Sequence, residues 1–384
     1  MLSKDINFID FKIKKKKLLL KKKLNSLLRE KNQVIQSLDK SYKNNFKKKN
    51  LSQYKRNSNF RLIGMGGSSL GAQAIYGFLK KKIKKNFVFI DNISSLPYEK
   101  TKKNITNLVV SKSGNTIETI VNSNILIKKK DKNIFITENK NSYLYKLAKK
   151  LKAEIIYHNN YIGGRYSVLS EVGMLPAELM GLNSNNFRNL NNLIKNKYFF
   201  KNLISNVGAI LHLSQKKKFN SIIINYDKES ENIFNWYQQL VAESLGKNKK
   251  GILPIVSNMP RDNHSVMQLY LDGFKNNFFT FFYVNEKNSK KINNKTLLNS
   301  HEYLSNKSLA EITFAQKKAT ENIFKQKKIP FRSFEIKKRD ERTLGTLFSF
   351  FILETILIAK YLKIDPFNQP SVELIKTETK RLLI

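Results

Sequence analysis

Short apolar runs rich in β-branched and aromatic side chains recur along the chain from residue 59, and each is followed by a longer segment with apolar positions three and four apart. FRLI at 60–63, Phe87–Ile90, Leu108–Val110, Ile134–Thr137 and Ile155–Tyr157 read as strands, each separated from the next by a helix-length stretch. A second set begins near Ser221 with SIIINY, a helix over Glu231–Leu245, the strand GILPIV, HSVMQLYLDG, the strand FFTFFYV, a helix over Ser308–Lys327, PFRSFEI and a long apolar helix from Thr343 to Leu362. Such alternation predicts an α/β protein with two doubly wound parallel sheets, one over 59–165 and one over 220–384, joined by a helical connection over 166–219. Residues 1–58 mix lysine runs with leucine and isoleucine and read as one or two amphipathic helices with a solvated lysine face.

Composition changes this picture in a few places. With 384 residues and 41% hydrophobic side chains the chain can bury a substantial core. The formal charge of +42 points by itself to a polyanionic partner. Yet only 10 of the 71 basic residues are arginine, and the lysines alternate with asparagines throughout. That distribution reads as compositional drift and predicts no specific nucleic-acid surface, which would favour arginine and interleaved aromatics. The absence of cysteine excludes disulfides, thiolate catalysis and thiolate metal sites, and four histidines leave little for a histidine-rich centre. The N-terminal stretch lacks the apolar core of a secretory signal, so a cytoplasmic location is expected. The run at 343–362 contains Gly345, Glu354 and Lys360 and reads as a buried core helix, not a membrane span.

Ligands of doubly wound sheets sit beyond the carboxyl ends of the strands, where the chemically suggestive stretches fall. SKSGNTIET at 111–119 closes a strand with hydroxyls, an amide, a glycine and one lysine, then opens a helix. A helix N-terminus surrounded by such groups accepts a phosphate dianion, and the same residues also serve as an N-cap without a ligand. GMGGSSLG at 64–71 lacks the G-x-G-x-x-G spacing of a dinucleotide site; it is a tight strand-to-helix turn or a close backbone approach to a ligand. Arg165, following Gly163 and Gly164, suits either a surface ion pair or stabilisation of an oxyanion. Glu243 shares a helix face with Leu240, Gln239 and Trp236, and partial desolvation there strengthens a carboxylate as a base; a structural Glu–Lys pair is the alternative. His264 follows a turn and precedes a helix, a position as suited to capping as to catalysis.

Taken in order, GMGGSSLG, SKSGNTIET, GGRYSVLSEVGM, QLVAESLGK, DNHSVMQLYLDG and DPFNQPSVELIK resemble the successive motifs of the glucose-6-phosphate isomerase family, over about Gly64 to Lys376. Asn368, Ser371 and Ile375 depart from the family pattern, and the chain is shorter than many members. The resemblance implies two sugar-isomerase domains and interconversion of glucose 6-phosphate and fructose 6-phosphate without cofactor or metal. It implies Glu243 as the base that moves a proton between C2 and C1, Arg165 as the enediolate stabiliser, and His264 with Lys376 for ring opening. Ser111, Lys112, Ser113 and Thr116, with Ser68, are implied as phosphate ligands; Gln239, Gln369 and Gly67 match substrate-holding positions. A homodimer with His264 supplied across the two-fold interface follows from the same resemblance. Two alternatives stay open: an isomerase that also accepts mannose 6-phosphate, and a sugar-phosphate-binding regulator that needs no base.

Overall fold

A computed structural model describes residues 1–11, 13, 18–30, 32–94 and 104–384. Its first sheet comprises β2 (Asn59–Ile63), β3 (Asn86–Ile90), β4 (Ile105–Val110), β5 (Lys132–Thr137) and β6 (Glu154–Tyr157), all parallel, in the order β3-β2-β4-β5-β6. The second contains β7 (Asn220–Asn225), β8 (Leu253–Asn258), β9 (Asn277–Val284) and β10 (Phe331–Ile336), parallel in the order β10-β9-β7-β8. In both, the first strand of the unit is interior, next to the edge strand, and the next two flank it, so the crevice at the strand ends lies between the first and third. The expected α/β fold class therefore holds.

Both faces of the interior strands are covered, which is why they read as near-continuous apolar runs; all eight residues of β9 are buried. Ile223 and Phe282 share one core with Phe60 and Leu62 of the first sheet, whereas Ile222, Ile224, Phe279 and Phe281 form a second cluster on the outer face. Helices Lys197–Gln215, Glu231–Leu245 and Glu341–Leu362 fill the shared core. The last is long and apolar enough to cross a membrane, but 94% of its most apolar window is buried inside the fold. Glu354, the charge that interrupts it, pairs with fully buried Arg332, which also donates to Thr280 Oγ1 at 2.9 Å and Asn206 Oδ1 at 2.9 Å; Tyr237 Oη donates to Glu354 at 3.0 Å. A buried charge survives only with its hydrogen bonds filled, and these are.

The N-terminal segment differs from its helical expectation. β1 (Ile6–Ile9) adds to the edge of the second sheet antiparallel to β10, with Ile6 opposite Ile336. The period-two pattern of INFI, with Ile6 and Phe8 buried, is only four residues long, too short to stand out among the lysines. The helix Leu18–Arg29 follows and buries Leu20, Leu24 and Leu27 in the shared core. The lysine run at 14–17 lies outside the described residues.

Candidate active site

The glycine turn after β2 is where the other motifs meet. A Cβ on Gly64 would lie 2.9 Å from the Val110 carbonyl oxygen at the end of β4, and one on Gly66, whose φ is +51°, would lie 2.8 Å from Gln239 Nε2. A Cβ on Gly67 would lie 2.2 Å from the Gly164 carbonyl carbon and 2.6 Å from Arg165 N. Real Cβ contacts do not come this close, so glycine here lets four chain segments converge.

Arg165 lies in the turn Gly164–Leu169 with only 2% of its side chain exposed, which removes the surface ion pair as its explanation. Nη1 donates to Glu243 Oε2 at 3.0 Å and Gln369 Oε1 at 2.5 Å. Nη2 donates to the carbonyls of Pro366 at 2.6 Å and Asn368 at 3.1 Å, and Nε to Ser244 Oγ at 2.9 Å. All five guanidinium N–H groups are thus engaged. Trp236 Nε1 donates to the Arg165 carbonyl at 3.1 Å, fixing the main chain as well. Glu243, near the end of the helix Glu231–Leu245, is 27% exposed and faces Arg165, not a lysine. One helical turn back, Gln239 Nε2 donates to Glu243 Oε1 at 2.9 Å, while Gln239 Oε1 is buried without a partner. The helix thus buries Trp236 and Leu240 in the core and turns Gln239 and Glu243 to the crevice.

The loop after β4 forms the second part of the site. Ser111 Oγ and Thr116 Oγ1 lie 2.9 Å apart, with Thr116 at the N-cap of the helix Ile117–Leu126. Gly114 has φ +67° and donates to Ser111 Oγ at 3.2 Å; a Cβ there would collide with Ser142 Oγ. Asn115 Oδ1 accepts from Tyr143 N at 3.0 Å, so the next helix braces the loop. Ser113 is exposed, its Oγ accepting from Asn115 N at 3.3 Å. Lys112 Nζ donates to the Asn160 carbonyl at 2.8 Å and lies 3.6 Å from Glu138. Burial holds that amine below the usual lysine range. Orphan N–H groups of the helix start, these hydroxyls and Lys112 have the chemistry to receive an anion; Ser68 lies in the neighbouring glycine turn, its Cβ 3.0 Å from where one on Gly64 would sit.

Two expected site residues stand apart. His264 ends the turn Arg261–His264 after β8, exposed, with no hydrogen bond or ion pair to the Arg165–Glu243 cluster among the described residues. Lys376 projects from the helix Pro370–Leu382, none of whose residues is buried, and its Nζ pairs with Glu373 at 2.6 Å. Sequence reasoning also missed part of the arrangement: Ser244, Tyr166 and the carbonyls of Pro366 and Asn368 surround Arg165, and although they lie within the quoted motifs no role was assigned to them there. Ser244 could have been found by its place beside Glu243. Asn368 reaches Arg165 through its main-chain carbonyl, which any residue supplies, so its departure from the family pattern leaves that contact intact.

The family profile described as phosphoglucose isomerase matches residues 25–383. Among curated relatives, a glucose-6-phosphate isomerase of Methanocaldococcus jannaschii is 31% identical over 87% of this chain and 87% of its own, and one of Mycoplasmopsis pulmonis is 34% identical over 84% and 82%. Among solved structures, a hypothetical protein from Thermus thermophilus superposes with a TM-score of 0.80 at 21% identity, covering 95% of this chain and 94% of that one. A glucose-6-phosphate isomerase from Chlamydia trachomatis gives 0.68 at 17% identity, covering 94% and 78%.

Proposed function

This chain belongs to the phosphoglucose isomerase family, and we propose that it interconverts glucose 6-phosphate and fructose 6-phosphate at the crevice between Arg165, Glu243 and the 111–116 loop. The observation that carries the reading is the 3.0 Å contact between Arg165 Nη1 and Glu243 Oε2. It sets a base and a fixed cation side by side, and an enediol proton transfer needs both at neighbouring atoms of one substrate. A regulator that only holds a phosphate has no use for that pair.

In this reading the phosphate dianion sits on Ser111, Ser113, Thr116 and Ser68 at the helix start, with Lys112 contributing charge. The open-chain sugar then reaches toward the turn at Gly67. Its oxygens at C1 and C2 take the Nη1 donors that Gln369 and Glu243 hold in the free enzyme. Glu243, released from Arg165, removes the proton at C2 and returns it at C1, while the hydroxyl proton passes from O2 to the neighbouring O1 of the enediolate, so one carboxylate serves both carbon half-reactions. The charge that grows on the enediolate oxygen falls to Nη1, already oriented, so no reorganisation accompanies the step. Gln239 Oε1, buried without a partner, accepts a substrate hydroxyl.

Ring opening requires a proton shuttle that the Arg165–Glu243 cluster lacks, and we assign it to His264 of a second subunit, with Lys376 beside it. The exposure of His264 supports this, as does that of Val372, Ile375, Leu382 and Leu383 on and just after the Pro370–Leu382 helix, apolar side chains that an assembly would cover. In this reading the protein works as a homodimer with two shared sites. A coupled assay with glucose 6-phosphate and with mannose 6-phosphate tests the assignment. Turnover of the glucose ester supports it, turnover of both widens it to a bifunctional isomerase, and turnover of neither overturns it.

A further inference from the structure

Arg165 is held from behind by a closed hydrogen-bond ring. Its Nε–H donates to Ser244 Oγ at 2.9 Å; Ser244 Oγ and Tyr166 Oη are 2.7 Å apart; Tyr166 Oη donates to the Pro366 carbonyl at 3.1 Å; and that carbonyl also accepts from Arg165 Nη2 at 2.6 Å. Tyr166 has one proton and gives it to Pro366, so the Ser244 hydroxyl donates to Tyr166 and keeps a lone pair for Nε–H. The direction of every bond is then fixed. Ser244 and Tyr166 have no exposed surface, and no water competes for these groups. The ring ties three separate pieces of chain: the 164–169 turn, the end of the Glu231–Leu245 helix and the loop before Gln369.

We propose that Ser244 and Tyr166 are positioning residues for the isomerisation step, fixing the guanidinium plane so that Nη1 alone is presented to the reacting carbons. The proposal rests on the isomerase reading for its kinetics, but the ring itself is a statement about Arg165 in the free protein. A guanidinium without the ring keeps its charge and its pairing with Glu243 yet rotates about its Nη2 contacts. A misplacement of about 1 Å at a reacting centre can cost on the order of 100-fold in rate, while contacts that hold the phosphate are untouched.

Ser244→Ala and Tyr166→Phe each remove one hydroxyl and no other packing atom. Each is expected to lower kcat about tenfold or more with KM within about twofold of the wild type. The double variant should be no slower than the worse single one, because the ring is already open. Introduced into Arg165→Ala, Ser244→Ala should change the residual kcat by less than about twofold, since the group it positions is gone. A purely structural role would lower both backgrounds by the same factor and overturn the proposal, as would near wild-type kcat in both single variants. A second readout needs no substrate: in protein labelled with [15N]arginine, the Nε–H signal assigned by its loss in Arg165→Ala should exchange slowly with water, and rapidly in Ser244→Ala, which removes its acceptor. Rapid exchange in the wild type would refute the ring. A slowly exchanging signal in a protein that turns over neither hexose phosphate would refute the isomerase reading and leave the ring standing.

Discussion

Replacing Gly67 by alanine perturbs the joint on which the site depends, and the structure supplies the size of the effect. The added Cβ would lie 2.2 Å from the Gly164 carbonyl carbon, 2.3 Å from its oxygen and 2.6 Å from Arg165 N, all main-chain atoms that cannot rotate away. Ordinary contact begins at 3.4 Å, so the two turns must part by about 1.2 Å. Overpacking of this kind costs about 1–3 kcal/mol of stability, and moving Arg165 by about 1 Å relative to the turn costs on the order of 100-fold in kcat. Gly164→Ala is the control across the same contact: its Cβ would meet Gly67 Cα at 3.7 Å, an ordinary distance. Although both glycines belong to motifs, Gly67→Ala should fall by about 100-fold in the coupled isomerase assay with a lowered thermal midpoint, and Gly164→Ala should keep its midpoint and lose no more than a few-fold in kcat. Equal damage from the two variants, or an active Gly67→Ala, would refute the reasoning.

Three further outcomes can be checked separately. Ser113→Asp places a carboxylate where the phosphate dianion is expected; its exposure screens the repulsion, and KM for glucose 6-phosphate should still rise by about tenfold, an unchanged KM placing the cradle elsewhere. His158 is buried, and burial pushes its imidazole from 6.5 down to about 4. Because the folded form binds its proton less readily than the unfolded form, its stability contribution is full above pH 6.5 and drains as pH falls toward 4, by about 2 kcal/mol between pH 6.5 and 5. Denaturant titrations should show this slope in the wild type and a flatter one in His158→Gln; identical slopes would contradict it. Mixing inactive Glu243→Gln with inactive His264→Ala should restore activity in verified heterodimers, each with one intact site, whereas no recovery would mean that His264 acts within its own chain or not at all.

How far the sequence carried depends on what each feature encodes. The strands of both sheets were legible because burial on two faces forces continuous apolar runs, as in β4 and β9. The strand β1 was not, since its stability comes from pairing with β10 near the far end of the chain, and not from any local pattern. At the site, Arg165, Glu243, Gln239 and Gln369 are joined by hydrogen bonds, each placed at a turn or on a helix face set by local signals. The groups behind Arg165 escaped notice because main-chain carbonyls have no sequence signature and Ser244 and Tyr166 matter only through a partner distant in the chain. His264 and Lys376 stand outside the cluster, on the turn Arg261–His264 and on a helix with no buried residue, and no local pattern encodes where an exposed side chain will dock.

The central claim is that Glu243 carries the proton between C2 and C1. Turnover in D2O followed by mass spectrometry and NMR of the products measures that transfer. In the wild type, solvent deuterium should enter at C1 of fructose 6-phosphate and at C2 of glucose 6-phosphate, because a protonated carboxylate that is 27% exposed can exchange with water before returning its proton. In Glu243→Gln, binding of the sugar phosphate should persist while isomerisation falls by about 10²- to 10⁴-fold and exchange at both carbons disappears with it. Deuterium still entering at either carbon at the wild-type rate in Glu243→Gln would contradict the account.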